Sequence, residues 1–473
     1  MLIKTTFLGD PAVLTESSQS DPEVQRKLQS ASALVQRFLS PDPTANLLCE
    51  ELGVHWRDRV YSPMITVWMF ITQVISADKS CQLAVGRLNS WRLANGLAKV
   101  SSKTTAFCKA RTRLPELIFE RLLEIVAKRC EQVTEESWLW HGRIVEMVDG
   151  WTVTMADTPE NQAEYPQMAN QKTGCGFPIA RMIGLFSLAT GAANRVAIAA
   201  YQGKQTGETS LLRSILHYIH AGRILLADRY HASFWSFAAA VVKEIDLVAR
   251  AHHLRKIDFR RGSKQGHLDQ VVEYRKPQRP DWMSEKEYRK HPDVIRVRHL
   301  RYKVQQKGYR TRKVTLATTL LDAEVYTAED LASLYGRRWS VELHIRSLKT
   351  QMTMEHLRCQ SPSMVRKEIH CHLIGYNLIR AAMLASALRF RLSPTCLSFT
   401  GALQAIGDFA STIRVRAGRI EKQWWHVLKT ISELRVGNRP GRQEPREIKR
   451  RPKQYKLMQT PRDPNRNRYA TAA

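Results

Sequence analysis

Residues Arg143 to Met155 read Arg-Ile-Val-Glu-Met-Val-Asp-Gly-Trp-Thr-Val-Thr-Met. Before them the chain is helical in period, with apolar positions recurring every three and four residues through Val24–Phe38, Met64–Ile75, Leu83–Leu97 and Leu117–Val133. At Arg143 the period changes. Ile144–Val148 is a short, largely apolar run closed by Asp149, and Trp151–Met155 alternates as a strand does. Arg223–Ala227 repeats the design and is closed by Asp228. Further strand-like stretches lie at Ile179–Ala189, Arg195–Tyr201 and Asp246–Arg250, with helical patterns at Gly207–His220 and Ala232–Glu244. Strands mixed with helices in this order predict an α/β domain built on a central mixed sheet, with both acids at strand ends, where side chains emerge into a cleft.

Working outward, residues 251–325 break that rhythm. They are rich in Arg, Lys and His, carry Pro277, Pro280 and Pro292, and have strand-like stretches at Val294–Val304 and Arg312–Leu320, which predicts a β-rich insertion. A long helix is expected from Thr327 to about Met352 and another over Val365–Arg389. Towards the N-terminus, Ser80–Leu114 reads as helix, short loop, helix. Ala94-Asn95-Gly96 ends the first helix and Ser101–Thr105 caps the second, Thr104–Arg113, an arrangement compatible with a DNA-reading helix-turn-helix or with an ordinary bundle. The expected organisation is therefore an all-α region over 1–140, the α/β domain over 141–400 and a basic helical or extended region over 401–473.

The chain of 473 residues holds 73 Lys+Arg against 44 Asp+Glu, a net charge of +29. Such a charge on a chain with 43% hydrophobic residues implies a folded protein that meets a polyanion. The charge is uneven: 6 Lys/Arg against 8 Asp/Glu over residues 1–60, but 17 against 5 over 411–473. No window reaches about 18 uninterrupted apolar residues, so DNA is the expected polyanion and a membrane is not. The first residues do not resemble a signal peptide, and the eight scattered cysteines fit neither a disulfide framework nor a zinc knuckle, which points to a reducing, cytoplasmic setting.

The helix expected at 327–352 carries Tyr335, Arg338, Glu342 and Lys349. At about 100° per residue these offsets fall within roughly 60° of arc, on one face. An acid flanked by a phenol, an Arg and a Lys is not a core stripe, although a solvated face with an Arg338–Glu342 ion pair has the same spacing. Asp157 competes with Asp149 as the first acid, and His231 after Asp228 reads as a helix start more readily than as a base. His370-Cys371-His372 lie adjacent on a helix, where three ligands would point apart.

Tyr335-x2-Arg338-x3-Glu342-x6-Lys349 resembles the Tyr-Arg-Glu-Lys signature of DDE transposases of the insertion sequence 4 family. Val148–Thr152 with Asp157–Asn161, and Leu225–Tyr230, are similar to that family's first and second acid blocks, and Asn438–Pro452 to its C-terminal end. The resemblance implies an RNase H-like catalytic domain in which Asp149, Asp228 and Glu342 bind two Mg²⁺ ions, with Mn²⁺ able to substitute. Two such ions about 3.5–4 Å apart activate the nucleophile and stabilise the leaving oxygen of a phosphodiester. It further implies DNA contacts by Tyr335, Arg338 and Lys349. The expected partners are double-stranded terminal inverted repeats, target DNA and a second copy in a synaptic homodimer, with Trp424–Leu434 a candidate contact. Trp282 and Tyr288 are the insertion's candidates for holding a flipped base. The expected activity is cut-and-paste transposition; the alternatives are an RNase H-like nuclease without joining and a non-catalytic regulator.

Overall fold

The computed structural model describes residues 22–39, 43–57, 59–252, 254–303, 313–412 and 419–436. The chain opens with helices α1 (Pro22–Leu39), α2 (Thr44–Glu51), α3 (Pro63–Ile75), α4 (Cys81–Ala94), α5 (Thr105–Arg113) and α6 (Glu116–Gln132). Local chemistry sets their starts. Ser62 caps α3 by accepting from Ile65 N, with Pro63 at the first helical position, and Ser80 Oγ accepts from Leu83 N at 3.1 Å to start α4. On α5 the apolar residues Phe107 and Ala110 are buried, while Lys109 and Arg113 are exposed.

The period change at Arg143 then appears as β1 (Val145–Thr154), α7 (Pro159–Glu164), β2 (Ile179–Ser187), β3 (Ala193–Ala200), α8 (Glu208–Ile215), β4 (Ile224–Ala227), α9 (Phe234–Val242) and β5 (Asp246–Arg250). The stretch after it contains β6 (Ser263–Gly266), β7 (Asp269–Arg275), α10 (Glu285–Lys290), β8 (Val294–Lys303) and β9 (Lys313–Thr318). Helices α11 (Ala328–Arg337), α12 (Trp339–Arg346), α13 (Pro362–Arg389), α14 (Phe399–Thr412) and α15 (Arg419–Glu433) complete it. The basic arm beyond Val436, including Asn438–Pro452, lies outside the described residues, as do His253, Val304 and Arg312.

Among the described residues nine strands form one sheet, in the order β3-β2-β1-β4-β5-β9-β8-β7-β6. It is a mixed sheet: β1, β4 and β5 run parallel, β2 is antiparallel to β1, and β9 is antiparallel to β5. A core of Val148, Leu225, Leu247, Leu211, Leu212 and Phe237 lies between the sheet and helices α8 and α9.

Two expectations need correcting. Asp149 is not at a strand end: β1 runs through it, pairing Asp149 with Gly184 and Gly150 with Ile183, because a glycine interrupts side-chain alternation without interrupting the ladder. The strands expected in 251–325 continue the central sheet, since β9 pairs with β5. The single helix expected over 327–352 is broken at Arg338, where N–H groups bond three residues back (Arg338 to Tyr335, Val341 to Arg338), and it ends in a π-helical turn over Ser347–Gln351.

The chain divides into two compact units. One gathers the described residues up to Trp138 with Ala189–Asn194 and His344–Val436; the other holds Leu139–Leu188 and Arg195–Leu343. In the first unit α13 is the core helix, contacting α1, α3, α6, α14 and α15. By length and composition α13 could cross a membrane, but its apolar window is wholly buried. At Gly375 a Cβ would stand 2.5 Å from Ile75 Cδ1, so glycine is what lets α13 and α3 approach this closely.

Candidate active site

All three sequence-selected acids lie in the second unit. Parallel pairing of β1 with β4 sets Met147 beside Leu226, so Asp149 and Asp228 each follow two residues after a paired position, and the charge of Asp228 reaches Asp149. Asp228 is the first residue past β4. Its Oδ1 accepts from Tyr230 N at 2.9 Å, which caps the short turn Arg229–His231 and holds the carboxylate at the strand's exit. Glu342 sits on α12, one turn after Arg338.

Arg338 joins the first acid to the third. Its Nη1 lies 3.6 Å from Asp149 Oδ2, and its Nη2 donates to Glu342 Oε1 at 2.9 Å. The side chains of Arg338, Asp149 and Glu342 are 16%, 23% and 35% exposed, so the pairings are only partly screened by water. Burial pushes Asp149 up to about 6, and the negative charges of Glu342 and Asp228 push the same way. The donating Gly150 N–H, at 2.9 Å, and the Arg338 guanidinium pull it back. Neighbouring like charges in a desolvated place raise a carboxyl's pKa in this manner. Tyr335 is also held up by burial, against the pull of Arg338 and Arg250.

The remaining sequence candidates are placed as follows. Lys349 falls in the π-helical turn and belongs to the first unit, where its Nζ lies 3.6 Å from Glu355 Oε1. Asp157 Oδ1 accepts from Gln162 Nε2 at 2.7 Å, just before Thr158 caps α7. His231 is buried in the turn after Asp228, with Nε2 4.0 Å from Asp228 Oδ1, and burial lowers its pKa. His370 Nδ1 meets Arg366 O at 2.8 Å, while His372 Nε2 is 3.4 Å from Lys79 Nζ. Trp282 and Tyr288 both pack on Trp235, at 6.2 and 5.8 Å between centroids, and the Arg213 guanidinium covers Trp282 at 3.7 Å.

One residue near the acids carries no signal in the sequence. Glu208 opens α8 in the run Gly207-Glu208-Thr209-Ser210, which reads simply as a helix start. A Cβ on Gly150 would meet the Glu208 carboxyl carbon at 2.8 Å, so the acid lies against β1 immediately after Asp149.

A family model, the transposase DDE domain, matches residues 140–378, a span holding Asp149, Asp228, Glu342, Tyr335, Arg338 and Lys349. The chain belongs to the DDE transposase family. This transposase is 24% identical over 435 residues to transposase InsG for insertion sequence element IS4 of Escherichia coli (strain K12), which covers 88% of this chain and 92% of that protein. The resemblance to insertion sequence 4 transposases is thereby borne out. Among solved structures it is similar to the piggyBac transposase synaptic complex with hairpin DNA, with a TM-score of 0.42 and 10% identity over 87% of this chain and 86% of that one.

As a transposase the enzyme acts on DNA, and DDE transposases use divalent cations. The donor set fits a hard cation, because Asp149, Asp228 and Glu342 offer carboxylate oxygens and their mutual charge is what a cation relieves. Among the described residues no three His, Cys, Asp or Glu side chains stand close enough to cage one as they lie. In this arrangement Arg338 supplies the counter-charge to Asp149 and Glu342.

Proposed function

We propose that this transposase binds the terminal inverted repeats of an insertion sequence, cleaves DNA at the element ends by metal-dependent phosphodiester hydrolysis, and joins the freed 3′-OH ends to target DNA. The proposed catalytic fold is RNase H-like, and the working form is a homodimer assembled on paired ends. One observation carries the reading: the acids of a DDE transposase lie in one compact unit, two carried by the neighbouring strands β1 and β4 (Asp149 within β1, Asp228 just past β4) and two bridged by Arg338.

Asp149, Asp228 and Glu342 would hold two Mg²⁺ ions, replaceable by Mn²⁺, and these when bound supply an activated nucleophile and stabilisation of the leaving oxygen. The chain's own residues do the positioning. Asp149 must shed its proton to act as a ligand, and its pKa near 6 leaves it mostly ionised at neutral pH. Arg338, once its charge is no longer needed by the acids, has a planar fork suited to a phosphate of the cleaved strand. Tyr335 offers a hydroxyl to a phosphate oxygen, and Lys349 a point charge. Lys109 and Arg113, exposed on α5, are the proposed duplex contacts of the helical region.

The test is cleavage of a duplex carrying the element's end in MnCl₂ or MgCl₂. Asp149→Ala, Asp228→Ala and Glu342→Ala should each fall to background, while retaining end binding by mobility shift. Cutting at the wild-type rate by any one of them removes that residue from the site. Precut ends incubated with a plasmid should give joined product; hydrolysis without joined product would leave a nuclease.

A further inference from the structure

We infer that Glu208 is a fourth carboxylate of the active site and helps hold a divalent cation beside Asp228; the inference rests on the metal-dependent reading above. Its placement is built into the fold. Leu211, Leu212 and Ile215 of α8 are buried in the core with Val148 of β1 and Leu225 of β4, which anchors the helix over the two strands that carry Asp149 and Asp228. The first residue of α8 is therefore held at the same end of the sheet.

The contact with Gly150 is the second observation. Both the carboxyl carbon and Oε1 of Glu208 lie 2.8 Å from the position of a Cβ on Gly150. Any side chain there would have to displace the carboxylate, so the Asp149-Gly150 pair provides an acid and, next to it, room for another acid.

The third is charge. Glu208 is raised above the usual carboxylate range by burial and by Asp228, against the opposing pull of Arg181. Arg181 itself donates to Thr206 O at 3.1 Å and lies over the Tyr201 ring at 4.6 Å. Among the described residues the Glu208 carboxylate makes no ion pair and accepts no hydrogen bond. A half-buried carboxylate within reach of a second carboxylate's charge, with no Lys or Arg in ion-pair contact, is unfavourable unless a cation joins them. An ordinary first-turn acid favours its helix electrostatically, but that role does not require the carboxylate to lie on Gly150.

The experiment uses the full-length protein stripped of metal and titrated with MnCl₂ alone, with free Mn²⁺ followed by electron paramagnetic resonance. Glu208→Gln should weaken Mn²⁺ binding by about 10-fold or more, the scale on which outer carboxylates of metal sites act. Glu160→Gln, which removes an exposed first-turn acid from α7, should leave it unchanged. Glu208→Asp keeps the first-turn charge but withdraws the carboxylate by one methylene, so it too should bind more weakly; it serves if the Gln variant does not fold. Wild-type affinity in a folded Glu208 variant would overturn the inference while leaving the three-acid reading intact. A wild-type protein that binds no Mn²⁺ would sink the metal reading and this inference with it.

Discussion

Asp149 concentrates the tension of the site in one side chain. Burial raises its folded pKa from the ordinary 3.8 to about 6, so between those values the folded protein holds a proton that the unfolded chain has released. The stabilisation from this group is complete below about pH 4 and is lost as pH rises through 6. In EDTA at pH 8, Asp149→Asn should therefore stabilise the protein by on the order of 1–2 kcal/mol, with the gain vanishing near pH 4. Calorimetry across that range checks it, and a less stable Asn variant at pH 8 would contradict the assignment. Arg338→Met should act oppositely: it removes the counter-charge that joins Asp149 and Glu342, so the metal-free Tm at pH 8 should fall, while the Tm rise on adding Mn²⁺ grows. An unchanged metal-induced rise would show that the guanidinium does not stand in for cation charge. The three acids and Arg338 were legible in the sequence, because spacing along a chain survives folding. Glu208 was not, since a glutamate in a helix's first turn is commonplace and its approach to Gly150 joins positions 58 residues apart.

Elements were legible where one period persisted. The helices at Pro22–Leu39 and Glu116–Gln132 and the strand at Asp246–Arg250 match their sequence patterns, because their apolar faces repeat without interruption. β6 and β7 escaped for a physical reason: β6 is exposed throughout, and β7 begins with Asp269 and Gln270, polar residues that are nonetheless buried. Asp269 is inside because Arg298 of β8 reaches it bidentately, Nε to Oδ1 at 2.8 Å and Nη2 to Oδ2 at 2.5 Å. Arg298 is 0% exposed, so Asp269→Ala would leave a buried guanidinium without its anion, at a cost of roughly 3–5 kcal/mol. Urea unfolding measures this, and a loss below about 1 kcal/mol, the scale of a surface ion pair, would mean that water reaches the site. The break in the helix expected over 327–352 escaped for a related reason. A wheel assumes one unbroken helix, whereas the chain tightens at Arg338 and widens after Arg346.

At the scale of the molecule the net charge of +29 should govern DNA binding. With several phosphates contacted, affinity for an end-containing duplex should fall by roughly 10³–10⁵ between 50 and 200 mM salt. Fluorescence anisotropy over that range tests it, and a flat response would assign the charge to another partner. Composition and local period by themselves determined an α/β chain with a helical front and the expectation of a polyanionic partner, and set three acids in an order and spacing that resemble those of DDE transposases. These follow from the covalent order of residues and from repeats of two or about 3.6 residues, which nearest neighbours express. Tertiary structure alone decided that β9 joins β5, that Asp149 lies within β1, that Arg338 bridges Asp149 to Glu342, and that Glu208 rests on Gly150. It also raised the carboxyl of Asp149, because desolvation and the charge of distant residues exist only once the chain has folded around it.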